Sequence, residues 1–296
     1  MSQSTSNIAA AHPDHPKVKS PALYVVATPI GNLGDITLRA LDVLRGVDAI
    51  AAEDTRHSRS LLDHFGIGTR LFAVHEHNER AGAEGIVKLL DKGQAIALIT
   101  DAGTPAVSDP GAKVVNAVRA AGHAVVPIPG ASALTAAMSV AGIEAGAVTF
   151  AGFLPVKGGQ RRDWLATLQD TPAATVCYES PHRILESLAD IHDVLGPDRR
   201  LVICRELTKR FETVLARSAA ELLEQVREDE DQQRGEFVLV IHAAPQSDAA
   251  ADLIEAQRVL GILAAELPTK QAAALAAEIT GRKKNELYDL ALKLKG

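Results

Sequence analysis

The residues of this chain that could do chemistry sit where short apolar runs stop. In the stretch ALITDAGTPAVSDPG (97–111), the run Ala97–Ile99 gives way at Thr100 and Asp101. Two glycines, two prolines and a second aspartate follow within ten residues. Glu179 closes the run ATVCYE (174–179), and Glu53 closes DAIAAE (48–53) ahead of Asp54-Thr55-Arg56. His75-Glu76-His77-Asn78 follows LFAV (71–74). A carboxylate or imidazole in such a place can take a proton from a hydroxyl or hold a polar ligand. The same residue types also cap helices, so each is weighed against that use. Asp54 reads as a helix cap with Arg56 pairing an acid, and Ser180 as the opening of the helix HRILESLADIHDVLG. Glu179 has no such job, which makes it a cleft candidate. His75 and His77 alternate on an extended chain and so share a face. No further ligand cluster accompanies them, so they are expected to be polar lining, and no metal is expected.

Three glycine-bearing loops lie at strand ends: Thr28–Asp35 (TPIGNLGD), the loop of Asp101 and Gly103, and Pro129-Gly130-Ala131-Ser132. In open α/β sheets, ligands sit outside the carboxyl ends of the strands. Glycine lets backbone N–H and C=O groups approach such a ligand. One loop alone would be a turn; three on one edge point to a binding cleft. A dinucleotide fingerprint would need G-x-G-x-x-G, and the chain has only Gly31-x-x-Gly34. A phosphate-binding P-loop is absent. The expected ligand is nucleotide-like, held by backbone and a few carboxylates, and not rich in phosphate.

The elements that carry these loops read as alternating strands and helices. Strands are expected at 23–28, 48–53, 71–74, 95–100 and 123–128, then at 148–153, 174–179, 200–206, 212–217 and 236–241. Asp35 is expected to cap the helix TLRALDVLR. Asp109 is expected to cap another, with Pro110 at its first position and Gly122 at its end. Ser218-Ala-Ala-Glu221 reads as a capping box. This alternation implies a mostly parallel sheet with helices on both faces. Beyond Pro245 the chain becomes rich in Ala, Leu and Lys with helical periodicity. There Pro268 breaks a helix, Thr269 can cap the next and Gly281 ends it, giving a small three-helix unit.

The totals set limits. The chain has 296 residues, 47% of them apolar but only 3% aromatic, so its cores must be built from Ala, Val, Leu and Ile. A net charge of −6 argues against coating nucleic acid by bulk charge, though not against a local basic patch. Cys177 and Cys204 lie in apolar runs without CxxC spacing and read as buried thiols. No apolar run reaches the ~18 residues of a membrane span. Met1–Ser20 is polar and is expected to be a disordered lead-in; the protein is expected to be soluble and cytoplasmic. Lys157 with Arg161 and Arg162, then Arg183, then Lys209 beside Arg210, would form a basic rim suited to phosphates. Arg282-Lys283-Lys284, in a helix-turn-helix-like tail, is the denser candidate for a nucleic-acid contact.

Taken in order, VVATPIGNLGDITLRALDVLR, EDTRHSRSLLDHFGI, HEHNE, DAGTP with SDPG, FAGFLP, YESPHRI, RELTK and GEFVLVI resemble the tetrapyrrole methylase superfamily. Within it they are similar to the branch that acts on ribosomal RNA, over roughly 23–241. LPTKQAAALAAEITGRKKNELYDLAL resembles the C-terminal helical module of that branch. The resemblance implies two α/β domains of tetrapyrrole-methylase type (21–143 and 144–245) with S-adenosylmethionine in the cleft between them. It also implies a small helical tail (250–296) and a homodimer, with the polar lead-in (1–20) ahead of the matched region. The implied reaction is 2′-O-methylation of a cytidine ribose in small-subunit ribosomal RNA, free or assembled. Carried over by motif, the cofactor contacts fall on Pro29, Asp101, Gly103, Ser132, Ala133, Tyr178 and Leu207. The base is open among Asp101, Glu179, His75 and Glu76. Two rivals are a tetrapyrrole carbon methyltransferase and a non-enzymatic regulator that binds nucleic acid through the tail. The motif set and basic rim weigh against the first, and the acidic balance and elaborate loops against the second.

Overall fold

The computed structural model describes residues 18–144, 146–245 and 248–295. Strands β1 (Ala22–Val26), β2 (Ala49–Ala52), β3 (Leu71–Ala73), β4 (Ala95–Ile99) and β5 (Ala124–Ile128) form one parallel sheet in the order β3-β2-β4-β1-β5. Helices α1 (Leu38–Gly46), α2 (Thr55–His64), α3 (Glu79–Asp91) and α4 (Ala112–Ala120) connect them. Side chains alternate across the sheet. Tyr24, Val26, Ala97 and Ile99 enter one core, and Leu23, Ile96 and Leu98 enter the core on the other face. With both faces covered, every residue of β4 is buried, which is why its sequence is apolar without a break.

The second sheet runs β6 (Val148–Phe153), β7 (Ala174–Glu179), β10 (Phe237–Ile241), β8 (Arg200–Arg205), β9 (Thr213–Ser218). Helices α5 (Ala133–Val140), α6 (Gly158–Ala166), α7 (Ile184–Leu195) and α8 (Ala219–Glu228) accompany it. Only β6 and β7 pair in parallel; β10 is antiparallel to β7 and β8, and β8 to β9. The strand–helix alternation therefore does not extend to an all-parallel sheet here. The short connection 206–212 carries no helix, and a short connection can join only antiparallel neighbours.

In the two sheet-containing halves, three helix starts differ from expectation. Thr37, not Asp35, caps α1, its hydroxyl accepting the Ala40 N–H at 3.1 Å; Asp35 closes a preceding 3-10 turn. Helix α4 begins at Ala112 after Gly111, three residues past Asp109. Its cap comes from another helix: Glu79 of α3 accepts the N–H groups of Gly111 (2.8 Å) and Lys113 (3.1 Å). Helix α7 begins at Ile184, so Ser180-Pro181 belongs to the turn before it. Asp54 caps α2 and the Ser218–Glu221 capping box is formed, as read from sequence.

Contacts divide the chain into two units, Met1–His242 and Ala243–Gly296. The second contains α9 (Asp248–Glu266), α10 (Thr269–Thr280) and α11 (Lys284–Lys295) around Ala256, Leu260, Ala273 and Leu287. Thr269 is the first residue of α10 and not its cap, which is Pro268; Gly281 ends the helix at φ 71°. Most of the expected lead-in lies outside the described residues. Of its end, Val18 packs against the first core and the Lys19 N–H donates to Tyr24 Oη at 2.7 Å. Among the described residues no helix is long and apolar enough to cross a membrane.

Candidate functional site

The order β3-β2-β4-β1-β5 places the ends of β4 and β1 side by side where the strand order reverses, the place at which such sheets bind ligands. The loops there are stitched together. Thr28 N–H donates to Gly103 O at 2.9 Å and Gly103 N–H returns a bond to Thr28 O at 3.1 Å. Thr28 Oγ1 donates to Thr100 O at 3.2 Å, and Thr104 Oγ1 to Ala131 O at 3.1 Å. Gly103 has φ 84°, and a Cβ on it would stand 3.3 Å from Ile30 Cγ2. The three loops that the sequence singled out thus form one wall.

A cleft with about 850 Å³ of empty space, part of it open to solvent, lies between this wall and the second sheet. The first wall presents Gly103, Thr104, Ser108, Asp109, Ser132 and Ala133; the second presents Phe153, Tyr178, Glu179, Cys204, Leu207 and Glu236. Gly103, Ser132, Ala133, Tyr178, Leu207 and Glu179 are therefore brought together. Pro29 and Asp101 each adjoin a lining residue, Ile30 and Ala102, without lining the cleft themselves. The Asp101 carboxylate turns to the end of β2, where it accepts the Asp54 N–H at 3.1 Å. His75 and Glu76 do not line the cleft. They follow β3, the outer strand, with β2 and β4 between it and β1.

Glu179 is 2% exposed and its carboxylate is fully engaged. It accepts from Ser180 N–H and Arg183 Nη2, both at 2.6 Å, and from the Ser187 hydroxyl. That arrangement ties β7 to α7 and leaves little capacity for a proton from a ligand. Glu236 is held by Lys209 at 2.9 Å. Asp109 is different. Burial, reinforced by the Glu53 carboxylate, pushes it up to about 6. Burial also raises Asp101, again with Glu53 contributing. Cys204 is pushed up by burial to about 11 and remains a neutral thiol in the wall. The Tyr178 ring packs edge-on against Phe150 and Phe153, with centroids 5.1 and 5.5 Å away.

Backbone strain collects at the same place. Among the described residues, the non-glycine residues with positive φ are Ala106, Ser108, Glu206 and Thr208. They flank Val107 and Leu207, which line the cleft from opposite walls. Each such residue costs about 1–3 kcal/mol, so the surrounding packing holds both loops in shapes they would not adopt alone.

The expected basic rim is largely internal wiring. Arg161 is buried, its Nε 2.6 Å from Asp190 of α7, because its place on α6 faces that helix. Arg162 pairs with the same aspartate at 3.0 Å, and Arg183 with Glu179. Lys209 bonds Glu206 and Glu236 at 2.8 and 2.9 Å. Lys157 stays exposed ahead of α6. In the tail, Lys283 and Lys284 are exposed at the start of α11, and Arg282 lies 3.5 Å from Glu286.

Among the described residues the cleft is lined by three carboxylates and by no lysine, arginine or histidine. With Glu179 and Glu236 each paired to a cation, the lining offers Asp109 to a cationic ligand and no basic side chain to one rich in phosphate. S-adenosylmethionine, with its positive sulfur and ammonium group, fits this donor set. Sequence reasoning missed Asp109 and Ser108 as lining residues because a capping role explained Asp109 locally. Phe153, in the motif FAGFLP, carried no signal beyond its apolar character.

The family model for Tetrapyrrole (Corrin/Porphyrin) Methylases matches residues 22–223, and that for the RsmI C-terminal HTH domain matches 250–295. The chain is 52% identical over 276 residues to ribosomal RNA small subunit methyltransferase I of Escherichia coli O157:H7, covering 93% of this chain and 96% of the relative. It is 53% identical to the protein of the same name from Pseudomonas aeruginosa, covering 93% and 98%. Two solved structures share the fold. Uroporphyrin-III-C-methyltransferase from Thermus thermophilus superposes with a TM-score of 0.53 at 19% identity, over 75% of this chain and 94% of that one. A diphthine synthase superposes with a TM-score of 0.56 at 16% identity, over 75% and 90%.

Proposed function

The chain belongs to the tetrapyrrole methylase family, and on that premise we propose that it methylates the 2′-oxygen of a cytidine ribose in small-subunit ribosomal RNA, with S-adenosylmethionine as donor. The observation that carries this reading is the cleft at the switch point of the first sheet, lined by the carboxylate of Asp109 and by no basic side chain among the described residues. It occurs in a chain about half identical, over nearly its whole length, to relatives named for that RNA.

When bound, the cofactor supplies a methyl carbon made electrophilic by a positively charged sulfur. The chain's own residues do the rest. Gly103, Ser132, Ala133, Tyr178 and Leu207 hold the donor, with Pro29 and Asp101 shaping the loops behind them. The apolar parts of the wall exclude water. Alignment of oxygen, carbon and sulfur is the main task, because positioning alone supplies a large share of such accelerations. The tail residues Arg282, Lys283 and Lys284 and the exposed Lys157 meet the RNA backbone. The working form in this reading is a cytoplasmic homodimer, as the motif resemblance implies.

The test offers the purified protein and methyl-labelled donor to naked small-subunit RNA and to assembled subunits. Transfer to a cytidine, with the backbone made resistant to alkali at that nucleotide, is the expected result. Failure on both substrates by protein that binds the donor in calorimetry overturns the reading. Methylation of a porphyrinoid instead would favour the carbon methyltransferase, and donor binding without any turnover the regulator.

A further inference from the structure

We propose that Asp109 is the residue that accepts the proton of the ribose 2′-hydroxyl, an inference that rests on the methyl-transfer reading above. Of the three carboxylates that line the cleft, Glu179 is bound to Arg183 and Glu236 to Lys209. Asp109 has no ion-pair partner among the described residues.

Its loop is built to hold it in place. Ser108 before it has φ 64°, Pro110 after it is conformationally stiff, and Gly111 is fixed by the buried carboxylate of Glu79 at 2.8 Å. Asp109 therefore stands on a strained, anchored segment and not on a free turn.

Its surroundings tune it. Glu53 faces it from the end of β2, Asp101 from the end of β4 and Tyr178 from β7. Glu179, Cys204 and Glu236 share the cleft wall. Thr100 has one hydroxyl proton, which it donates to Glu53 Oε2 at 2.6 Å while also standing beside Asp109. The Thr100 contact favours the charged form of Asp109, but burial and the neighbouring carboxylates of Glu53 and Asp101 outweigh it. With burial and Glu53 pushing it up to about 6, Asp109 is charged at neutral pH yet basic enough to take a proton as charge develops on the oxygen.

The step balances. The ribose O–H bond breaks and its proton passes to the Asp109 carboxylate. The oxygen lone pair forms the new bond to the methyl carbon, and the carbon–sulfur bond breaks with its electron pair left on sulfur. Carboxylate, hydroxyl and sulfonium become carboxylic acid, methyl ether and neutral thioether. The acid then returns its proton to solvent.

The experiment compares wild type with Asp109→Asn, Asp109→Glu and Glu53→Gln on small-subunit RNA. Asp109→Asn is expected to lower kcat by about 10²–10⁴-fold while donor and RNA binding persist, and Asp109→Glu to restore part of it. The wild-type kcat/KM should rise with pH to an inflection near 6 and then level. Glu53→Gln should move that inflection to lower pH, because it removes a like charge. A carboxyl ¹³C titration without donor should show the same displacement at Asp109, independently of turnover. An active wild type with an equally active Asp109→Asn removes Asp109 and leaves the function standing. So does an inflection that Glu53→Gln fails to move, or loss of donor binding in Asp109→Asn. A wild type inert on every RNA removes both.

Discussion

The stem of Lys209 crosses the backbone of Gly31, so closely that a Cβ added to the glycine would stand 2.4 Å from the lysine Cγ. The lysine belongs to the loop after β8 and the glycine to the loop after β1. Glu206 and Glu236 hold the ammonium, although its burial opposes the charge, and together they keep it above its usual range. The two walls of the cleft are thereby clasped at its rim.

Gly31→Ala meets two obstacles, the lysine stem and a φ of 136°. It should cost about 1–3 kcal/mol of stability and weaken donor binding. Adding Lys209→Ala removes the clash but not the backbone strain, so the double variant should recover only part of the loss. Thermal unfolding and calorimetry read this directly, and identical single and double variants would refute the clasp.

Glu79 supplies from α3 the cap that α4 lacks in its own sequence. Although burial works against it, the bonds from Gly111 and Lys113 hold its carboxyl below the ordinary range. Glu79→Gln should cost about 1–3 kcal/mol and lower kcat by loosening the Asp109 loop. Because the folded value is depressed, the stability Glu79 contributes is present at neutral pH and is lost as pH falls through that value. Urea unfolding should show the two proteins converging in acid.

Asp109 has the opposite sign. Its folded value is raised from 3.8 to about 6, so folding binds a proton more tightly than the unfolded chain does. Wild-type stability should fall as pH rises through that window. Asp109→Asn should be the more stable protein at pH 7, by about 1 kcal/mol after allowance for solvent screening, with no such gain below pH ~4. A stabilised but inactive variant is the signature of a group kept for function and not for folding.

Arg161 and Arg162 are adjacent and share Asp190, yet they should behave differently. Arg161→Ala removes the buried partner of Asp190, leaves that carboxylate only the half-exposed Arg162, and empties the space of a buried side chain; it should cost about 3–5 kcal/mol. Arg162 is 55% exposed along its side chain, and Arg162→Ala should cost no more than about 1 kcal/mol. Neither should alter the salt dependence of RNA binding in protein that remains folded. A reduced salt slope in Arg162→Ala would return it to the RNA surface.

The tail carries the complementary expectation. Replacing Arg282, Lys283 and Lys284 with glutamine should flatten the dependence of RNA affinity on salt, by about 0.7 in log–log slope for each phosphate no longer neutralised. Donor affinity should be unchanged. An unaltered slope would show that these residues do not touch the RNA.

What the sequence by itself determined is local. The apolar runs ending at Thr28, Thr100 and Ile128, the glycines in the loops beyond them and the Ser218–Glu221 capping box all depend on neighbours a few residues away. Periodicity and turn chemistry report such neighbours. From these the α/β class, the wall of three loops and Gly103 and Ser132 in it were legible.

Only the tertiary structure decided which strand stands beside which and which charge meets which. His75 and Glu76 had the right residue types at a strand end, but β3 lies at the edge of its sheet and carries them away from the cleft. Arg161 looked like a surface cation until α7 brought Asp190 against it. Asp109 looked like a helix cap until Glu79, from a different helix, took over that work and left Asp109 lining the cleft within reach of the Glu53 charge. The physical reason is the same in each case. Burial and charge pairing depend on segments far apart in the chain, and the pattern of residues around any one position contains no record of them.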